Sequence, residues 1–381
     1  MPMVPSAETG APRLADVLTS CLSSIVREDN RLGLRGVDHA VVLLVDGLGV
    51  SNLRASAGHA RFLSSHLTKK AVLPGVFPAT TAVGLGTLCT GVPSGVHGLV
   101  GYRLLFAAND RVVNQLSGWD DGMRPAAWQP ESTVFEQAAQ LGVPSFTVGP
   151  ARYAASGLSQ AILRGATYVS AESVEARFAA ADGIIAETPR ALVYVYVPEL
   201  DMAAHARGWL SDRWIGELEN LDAAVSRFAA GLPASAGLIV TADHGVVDVP
   251  ADRQVLFDTA PQLVDGVRHV GGDPRCLYLY LEPDGPADAA ERLAEAWRAS
   301  EGDRAWVFTR EQAIADGLFG AVSAVVLPRI GDVIVAARKL IAYYDSRDRN
   351  TASRSMIGQH GSLTDEESRV PCLRIGAFAN A

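Results

Sequence analysis

The segment PELDMAAHARGW contains an acid and a histidine four residues apart, Asp201 and His205. On a helix this spacing places both side chains on one face, with Cβ atoms about 5–6 Å apart. Two such groups can bind one metal ion, because metal–N and metal–O bonds are about 2.0–2.2 Å long. The pair alone is a weak signal, since an exposed helical pair with a local hydrogen bond has the same spacing.

A second candidate is the segment TADHG, in which Asp243 and His244 follow an apolar run and precede a glycine. The glycine permits a sharp turn, which can bring both side chains to one ion. Asp46 in VDG and His360 in GQHG are weaker candidates, since each stands alone in its segment. A turn with a hydrogen-bonded imidazole is the simpler interpretation of each segment taken alone.

Together, the acids and histidines of these four segments form a ligand set for two divalent cations. Two ions about 3.5–4 Å apart can bind a phosphoryl group between its attacking and leaving oxygens. The segment FPATTAVGLGTLCTG offers a nucleophile, Thr80 or Thr81, at the predicted start of a helix. A threonine hydroxyl needs activation, which a metal and a helix N-terminus provide. The simpler interpretation is that one of the two threonines caps the helix.

Apolar runs that end in polar groups predict the strands that position these residues. Asp46 follows VVLLV, Glu199 and Asp201 follow LVYVYVP, and Asp243 and His244 follow LIVTA. In open parallel sheets, sites form at the carboxyl ends of strands, so these ends predict one shared cluster. Short apolar runs alternate with amphipathic ones, which predicts an α/β fold with a mostly parallel sheet. Helices are predicted at 81–90, 131–141, 172–187, 211–230 and 286–299.

The stretch 255–354 differs from the rest of the chain. RCLYLYLEP and RIGDVIVAA predict strands and ADAAERLAEAWRAS predicts a helix, but no candidate ligand ends these strands. We interpret this stretch as a smaller inserted α+β unit that covers the site. Residues 13–254 and 355–381 then form the catalytic core, to which the last segment returns His360. The acids of TDEES, just after His360, are expected to begin an exposed helix.

Composition narrows the class of partner. A formal net charge of −9 argues against a nucleic-acid polymer, because binding its backbone needs a basic face. Small phosphate compounds remain compatible, because bound metals reverse the local potential. Four scattered cysteines without a CxxC pair indicate reduced thiols. With no signal peptide or apolar run long enough for a bilayer, we expect a cytoplasmic protein without a membrane partner.

Five segments resemble, in their order along the chain, the motifs of the alkaline phosphatase superfamily in its nucleotide pyrophosphatase/phosphodiesterase (type I phosphodiesterase) branch. They are VVLLVDGLG, VFPATTAVGLGTLCTGVPSGVHGLVGY, VYVPELDMAAHARG, IVTADHGVVDV and GQHGSLTDEE. The resemblance covers residues 38–250 and 355–375. It implies an alkaline-phosphatase-like core, a mostly parallel sheet between layers of helices.

The resemblance also implies two zinc sites. One ion is assigned to Asp201, His205 and His360, and the other to Asp46, Asp243 and His244. A gapless match places the nucleophile on Thr81, which bridges toward the second ion, and leaves Thr80 as a packing or capping hydroxyl. Ligands of these types also fit manganese.

Two departures from the branch concern substrate preference. A Pro-Asn-His run after the nucleophile is replaced by residues 83–85, which read Val-Gly-Leu. An asparagine that binds a phosphoryl oxygen corresponds to Tyr102, whose phenol can donate one hydrogen bond. Arg103, next to it, would add positive charge. An ordinary half-buried aromatic is the alternative for Tyr102.

We therefore expect a metal-dependent hydrolase of phosphodiester or nucleotide pyrophosphate bonds that forms a covalent phosphothreonine on Thr81. Its partner is a small phosphate compound, with nucleotides among the candidates. A phosphomonoesterase or phosphonate hydrolase is the alternative, and an arginine facing the metals, for which Arg103 is the candidate, would favour it. A non-catalytic metal- or nucleotide-binding protein is the alternative of another class. The sequence leaves the oligomeric state open.

Overall fold

A computed structural model describes residues 10–348 and 351–379. The strands are β1 His39–Val45, β2 Val72–Pro74, β3 Arg103–Phe106, β4 Arg111–Asn114, β5 Ser145–Gly149, β6 Thr167–Ser170, β7 Ala191–Val197, β8 Ala236–Thr241, β9 Val247–Asp248, β10 Gln254–Leu256, β11 Val267–Asp273, β12 Cys276–Leu281, β13 Ala305–Thr309, β14 Val333–Ala337, β15 Ala342–Tyr344, β16 Gly358–Gln359 and β17 Arg369–Gly376. The α-helices are α1 Asp16–Ile25, α2 Val50–Ala55, α3 Arg61–Ser65, α4 Thr81–Thr90, α5 Ser94–His97, α6 Pro125–Trp128, α7 Val134–Gln140, α8 Gly157–Ile162, α9 Val174–Glu187, α10 Glu199–Arg207, α11 Asp212–Gly231, α12 Ala289–Glu301, α13 Arg310–Ala315 and α14 Asp365–Ser368.

The main sheet carries the candidate ligands. In the part of the chain that the structure describes it has seven strands, in the order β2-β17-β8-β1-β7-β5-β6. The strands from β8 to β6 are parallel, and β17 is antiparallel to both of its neighbours. Every residue of β1 and β8 is buried, as expected for parallel strands covered on both faces. The predicted α/β class with a mostly parallel sheet flanked by helices is confirmed.

The predicted strands and helices are confirmed, with shifts of a few residues at their ends. Helix α7 shows why such shifts arise, since it begins at Val134 rather than at residue 131. Thr133 accepts a hydrogen bond from the Glu136 backbone amide, and the Glu136 carboxylate accepts one from the Thr133 amide. This capping box fixes the start of the helix. Among the described residues, no helix is long and apolar enough to cross a membrane.

A second sheet lies within the inserted stretch. Over residues 267–337, all of which are described, four antiparallel strands follow the order β11-β12-β14-β13. Helix α12 packs on this sheet through Leu293 and Trp297, which belong to a hydrophobic cluster separate from the main core. The sheet and helix lie inside the predicted unit 255–354. The exact boundaries of that unit remain a prediction.

A buried ion pair joins the second sheet to the segment that follows His360. Arg275, in the turn between β11 and β12, donates to both carboxylate oxygens of Glu367 at 2.8 and 2.7 Å. Neither charged side chain is exposed to solvent. The expectation that the acids of TDEES are exposed is therefore wrong for Glu367. Its partner lies 92 residues away in the chain, so no local pattern reveals the pair.

Candidate active site

The structure brings the six predicted metal ligands together at the carboxyl edge of the main sheet. Asp46 follows β1, Asp243 and His244 follow β8, and α10 begins directly after β7, which is the other neighbour of β1. Among the described residues, they form two groups, and within each group the ligand atoms lie within 4.8 Å of one another. The groups are Asp201, His205 and His360, and Asp46, Asp243 and His244. The same two groups are implied by the resemblance.

Each histidine in the cluster directs Nδ1 to a backbone carbonyl. The pairs are His205 with Gly358 at 2.8 Å, His360 with Ala79 at 2.9 Å and His244 with Gly245 at 3.1 Å. A carbonyl oxygen only accepts, so Nδ1 carries a proton and Nε2 is the nitrogen left to bind a metal ion. This is the arrangement found in metal-binding histidines, where a second hydrogen bond fixes the ring.

The carboxylates of the cluster have unsatisfied oxygens. Asp46 Oδ1, Asp201 Oδ1 and Asp243 Oδ2 are buried without a hydrogen-bond partner. Burial, and then the charges of Asp243 and Asp201, raises the pKa of Asp46 well above its usual value. Unpaired buried carboxylates cost several kcal/mol, a cost that a bound cation removes. The donor set therefore fits two divalent cations.

Thr81 is the hydroxyl that faces this cluster. It is the first residue of α4, and its Oγ1 lies 3.1 Å from His244 Nε2. Thr80 occupies the N-cap position, but its side chain makes no capping hydrogen bond. The alternative in which a threonine side chain caps this helix is therefore wrong. Within the described chain, the amides of Thr81 and Ala82 have no hydrogen-bond partner. Free amides at a helix N-terminus can bind an anionic oxygen.

A cavity of about 300 Å³ opens in front of Thr81 and the metal ligands. Its remaining wall is largely apolar and aromatic, with Leu85, Leu158, Ile162, Tyr153, Tyr168 and Met202. Among the residues that the structure describes, no lysine or arginine lines it. The cavity thus combines a metal-binding end with an apolar compartment.

The model of the type I phosphodiesterase/nucleotide pyrophosphatase family matches residues 40–363. The chain belongs to this family. Phosphonoacetate hydrolase from Sinorhizobium meliloti 1021, solved with phosphonoformate, is 19% identical with a TM-score of 0.67, over 90% of this chain and 91% of that chain. An inactive variant of murine ectonucleotide pyrophosphatase/phosphodiesterase 5, solved with AMP, is 17% identical with a TM-score of 0.66. The match covers 89% of this chain and 88% of that chain. No curated protein matches the chain.

Family membership confirms the resemblance seen in the sequence motifs, and the solved structures share the fold. The chain is therefore a metal-dependent hydrolase that acts on phosphoester bonds.

Tyr102 lines the cavity in front of Thr81, whereas Arg103 does not. The Tyr102 hydroxyl accepts a hydrogen bond from Asn114 Nδ2 at 2.7 Å, and burial raises the pKa of this phenol. Its proton is therefore available to a substrate oxygen. Arg103 lines a neighbouring cavity of about 390 Å³ and pairs with Asp348 at 3.1 Å. The predicted substrate contact of Arg103 stays a prediction.

The sequence interpretation missed Asp273, which lines both cavities. It ends β11, is 6% exposed, and its Oδ2 has no hydrogen-bond partner among the described residues. Burial raises its pKa to about 8. The segment VRHVGGD could have revealed it, because it too ends a strand in a carboxylate. Its paired glycines concealed the strand pattern.

Gly84 lets α4 approach the end of β8. A Cβ at Gly84 would lie 2.5 Å from Asp243 Cβ, which no real pair of Cβ atoms tolerates. We expect Gly84→Ala to displace Thr81 from the ligands and to lower kcat/KM for a phosphate ester about a hundredfold. Gly183→Ala in α9, where a Cβ meets nothing within 4 Å, is the control. A comparable loss in both variants, measured by initial rates, would contradict the role of Gly84.

Proposed function

We propose that the chain is a phosphodiesterase that cleaves phosphodiester or nucleotide pyrophosphate bonds through a covalent phosphothreonine on Thr81. The observation that carries this proposal is the Thr81 hydroxyl, 3.1 Å from His244 Nε2, beside the two ligand groups. We propose zinc as the metal, and manganese suits the same ligands. A cytoplasmic location is part of the proposal, and the four free, buried cysteines support it.

Bound at the six ligands, two divalent cations would lower the pKa of the Thr81 hydroxyl and stabilise charge on the leaving oxygen. The Thr81 oxygen forms a bond to phosphorus, and the bond from phosphorus to the leaving oxygen breaks. The amides at the start of α4 and the Tyr102 hydroxyl hold the phosphoryl oxygens in place. Water then attacks phosphorus and releases a phosphate monoester. In the first step Thr81 gives up its proton and the leaving oxygen takes one, and in the second step the attacking water returns a proton to Thr81.

The charge of the site favours a diester over a monoester. Three ligand carboxylates and two divalent cations leave one positive charge, which balances the single negative charge of a diester. A monoester or a phosphonate with a carboxylate brings further negative charge. No lysine or arginine among the described residues lines the cavity to balance it. Beside the metals, the apolar compartment offers room for a base or another flat group, and the AMP bound to the murine neighbour supports a nucleotide.

The test is a comparison of substrates on zinc-loaded protein. We expect kcat/KM for a nitrophenyl nucleotide diester to exceed that for nitrophenyl phosphate by about a hundredfold, or about 2.7 kcal/mol. The chelator-treated protein, before and after zinc is restored, is the control. A ratio below one would overturn the diester assignment. Faster release of phosphate from phosphonoacetate than from either ester would identify a phosphonate hydrolase instead.

A further inference from the structure

Asp273 reaches the active-site cavity from the second sheet, whereas all six metal ligands belong to other segments. It packs against the backbone just after His360, since a Cβ at Gly361 would lie 3.1 Å from Asp273 Cβ. Its carboxyl group also interacts electrostatically with His205. Asp273 therefore lies beside the group formed by Asp201, His205 and His360. Because the Thr81 hydroxyl lies beside His244 of the other group, we take the leaving oxygen to depart on the side of Asp273.

One oxygen of the Asp273 carboxyl group lacks a hydrogen-bond partner. Its Oδ2 is buried and accepts no hydrogen bond from any described residue. The cavity supplies no lysine or arginine among the described residues. Arg103, in the neighbouring cavity, attracts the carboxyl group electrostatically, but its guanidinium is hydrogen-bonded to Asp348. A buried carboxyl oxygen that lacks a hydrogen-bond donor is destabilising. A donor brought by a substrate would remove this cost.

We infer that Asp273 is a specificity-determining residue that accepts a hydrogen bond from a hydroxyl or ammonium group on the leaving group of the diester. The inference rests on the proposed function, because it takes the ion at Asp201, His205 and His360 to be the one beside the leaving oxygen. A site that hydrogen-bonds one substrate strongly rejects an analogue without the donor, because a polar group is then left unpaired.

The test uses three phenyl phosphodiesters whose coloured leaving groups differ only in one substituent: 4-nitrophenol with hydroxymethyl, aminomethyl or methyl at position 3. For the wild-type protein, we expect kcat/KM of the hydroxymethyl and aminomethyl esters to exceed that of the methyl ester about tenfold or more. In Asp273→Ala this preference should fall to near one. In Asp273→Asn, which keeps the shape and one acceptor, the hydroxymethyl preference should persist in part and the aminomethyl preference should be lost.

Asp284→Ala is the matched control, because Asp284 is an exposed acid that follows β12 in the same stretch. It should keep the wild-type preference. Two results would overturn the inference: a wild-type protein that cleaves all three esters equally well, or Asp273 variants in which all three rates fall together. Loss of one of two bound zinc ions in Asp273→Asn would also overturn it and make Asp273 a metal ligand. A wild-type protein that cleaves none of these esters would instead overturn the proposed function, and the inference with it.

Discussion

Replacing Thr81 by alanine is expected to lower kcat for a phosphodiester about ten-thousand-fold or more, because the variant has no oxygen to form the covalent intermediate. The side chain begins α4 and contacts His244, but it is not needed for the hydrogen bonds that hold the three histidine rings. The variant should therefore still bind two zinc ions. Steady-state release of nitrophenolate and the zinc content of the same samples measure both effects.

Thr80→Ala is the matched control for this experiment. Thr80 has the same functional group, is equally buried and makes no capping hydrogen bond, so its loss should lower kcat at most about tenfold. The reverse result, a large loss in Thr80→Ala and a small one in Thr81→Ala, would move the nucleophile by one residue. Near-normal turnover in both zinc-loaded variants would rule out a threonine nucleophile and leave direct attack by water.

Replacing Glu367 by glutamine is expected to lower the free energy of unfolding by about 3–5 kcal/mol, because Arg275 then stays buried without a counter-charge. The carboxylate also accepts hydrogen bonds from the Ser362 amide at 2.9 Å and from the Thr364 hydroxyl. Ser362 lies two residues after His360, so the affinity for zinc should fall as well. Urea unfolding and competition with a zinc chelator measure the two effects.

Glu366→Gln provides the control, since Glu366 is adjacent and exposed and its loss should change stability by no more than about 0.5 kcal/mol. A double variant, Arg275→Met with Glu367→Met, should recover part of the lost stability, because an apolar pair leaves no buried charge. Equal stability of Glu367→Gln and the wild-type protein would show that water reaches Arg275 and that the pair is not the link we describe.

The parts of the fold and site that the sequence predicts are those governed by short-range patterns. The buried strands β1, β7 and β8 are continuous apolar runs, and Asp46, Asp243 and the Asp201–His205 pair follow directly from their ends. Because parallel neighbours end at the same edge, a local pattern was enough to predict the cluster.

The parts that the sequence does not predict depend on contacts between distant segments. Glu367 resembles an exposed acid at a helix start until Arg275 is placed against it. Arg103 is adjacent to Tyr102 in the chain, yet only Tyr102 lines the cavity in front of Thr81, whereas both line the neighbouring cavity. Asp273 follows two glycines, which carry no apolar signal, so only the three-dimensional structure shows that it reaches the cavity.

The position of β17 within the main sheet has a consequence for biosynthesis. This strand is made after both β2 and β8, between which it lies, and His360 shortly precedes it in the chain. Domains begin to fold from the N-terminal side while the ribosome is still adding residues. Until β17 emerges, the nascent chain presents the apolar edge of β8 and lacks one of the six ligands. A chain that stops before His360 is therefore expected to be inactive and to leave unpaired the edge of β8 that β17 covers.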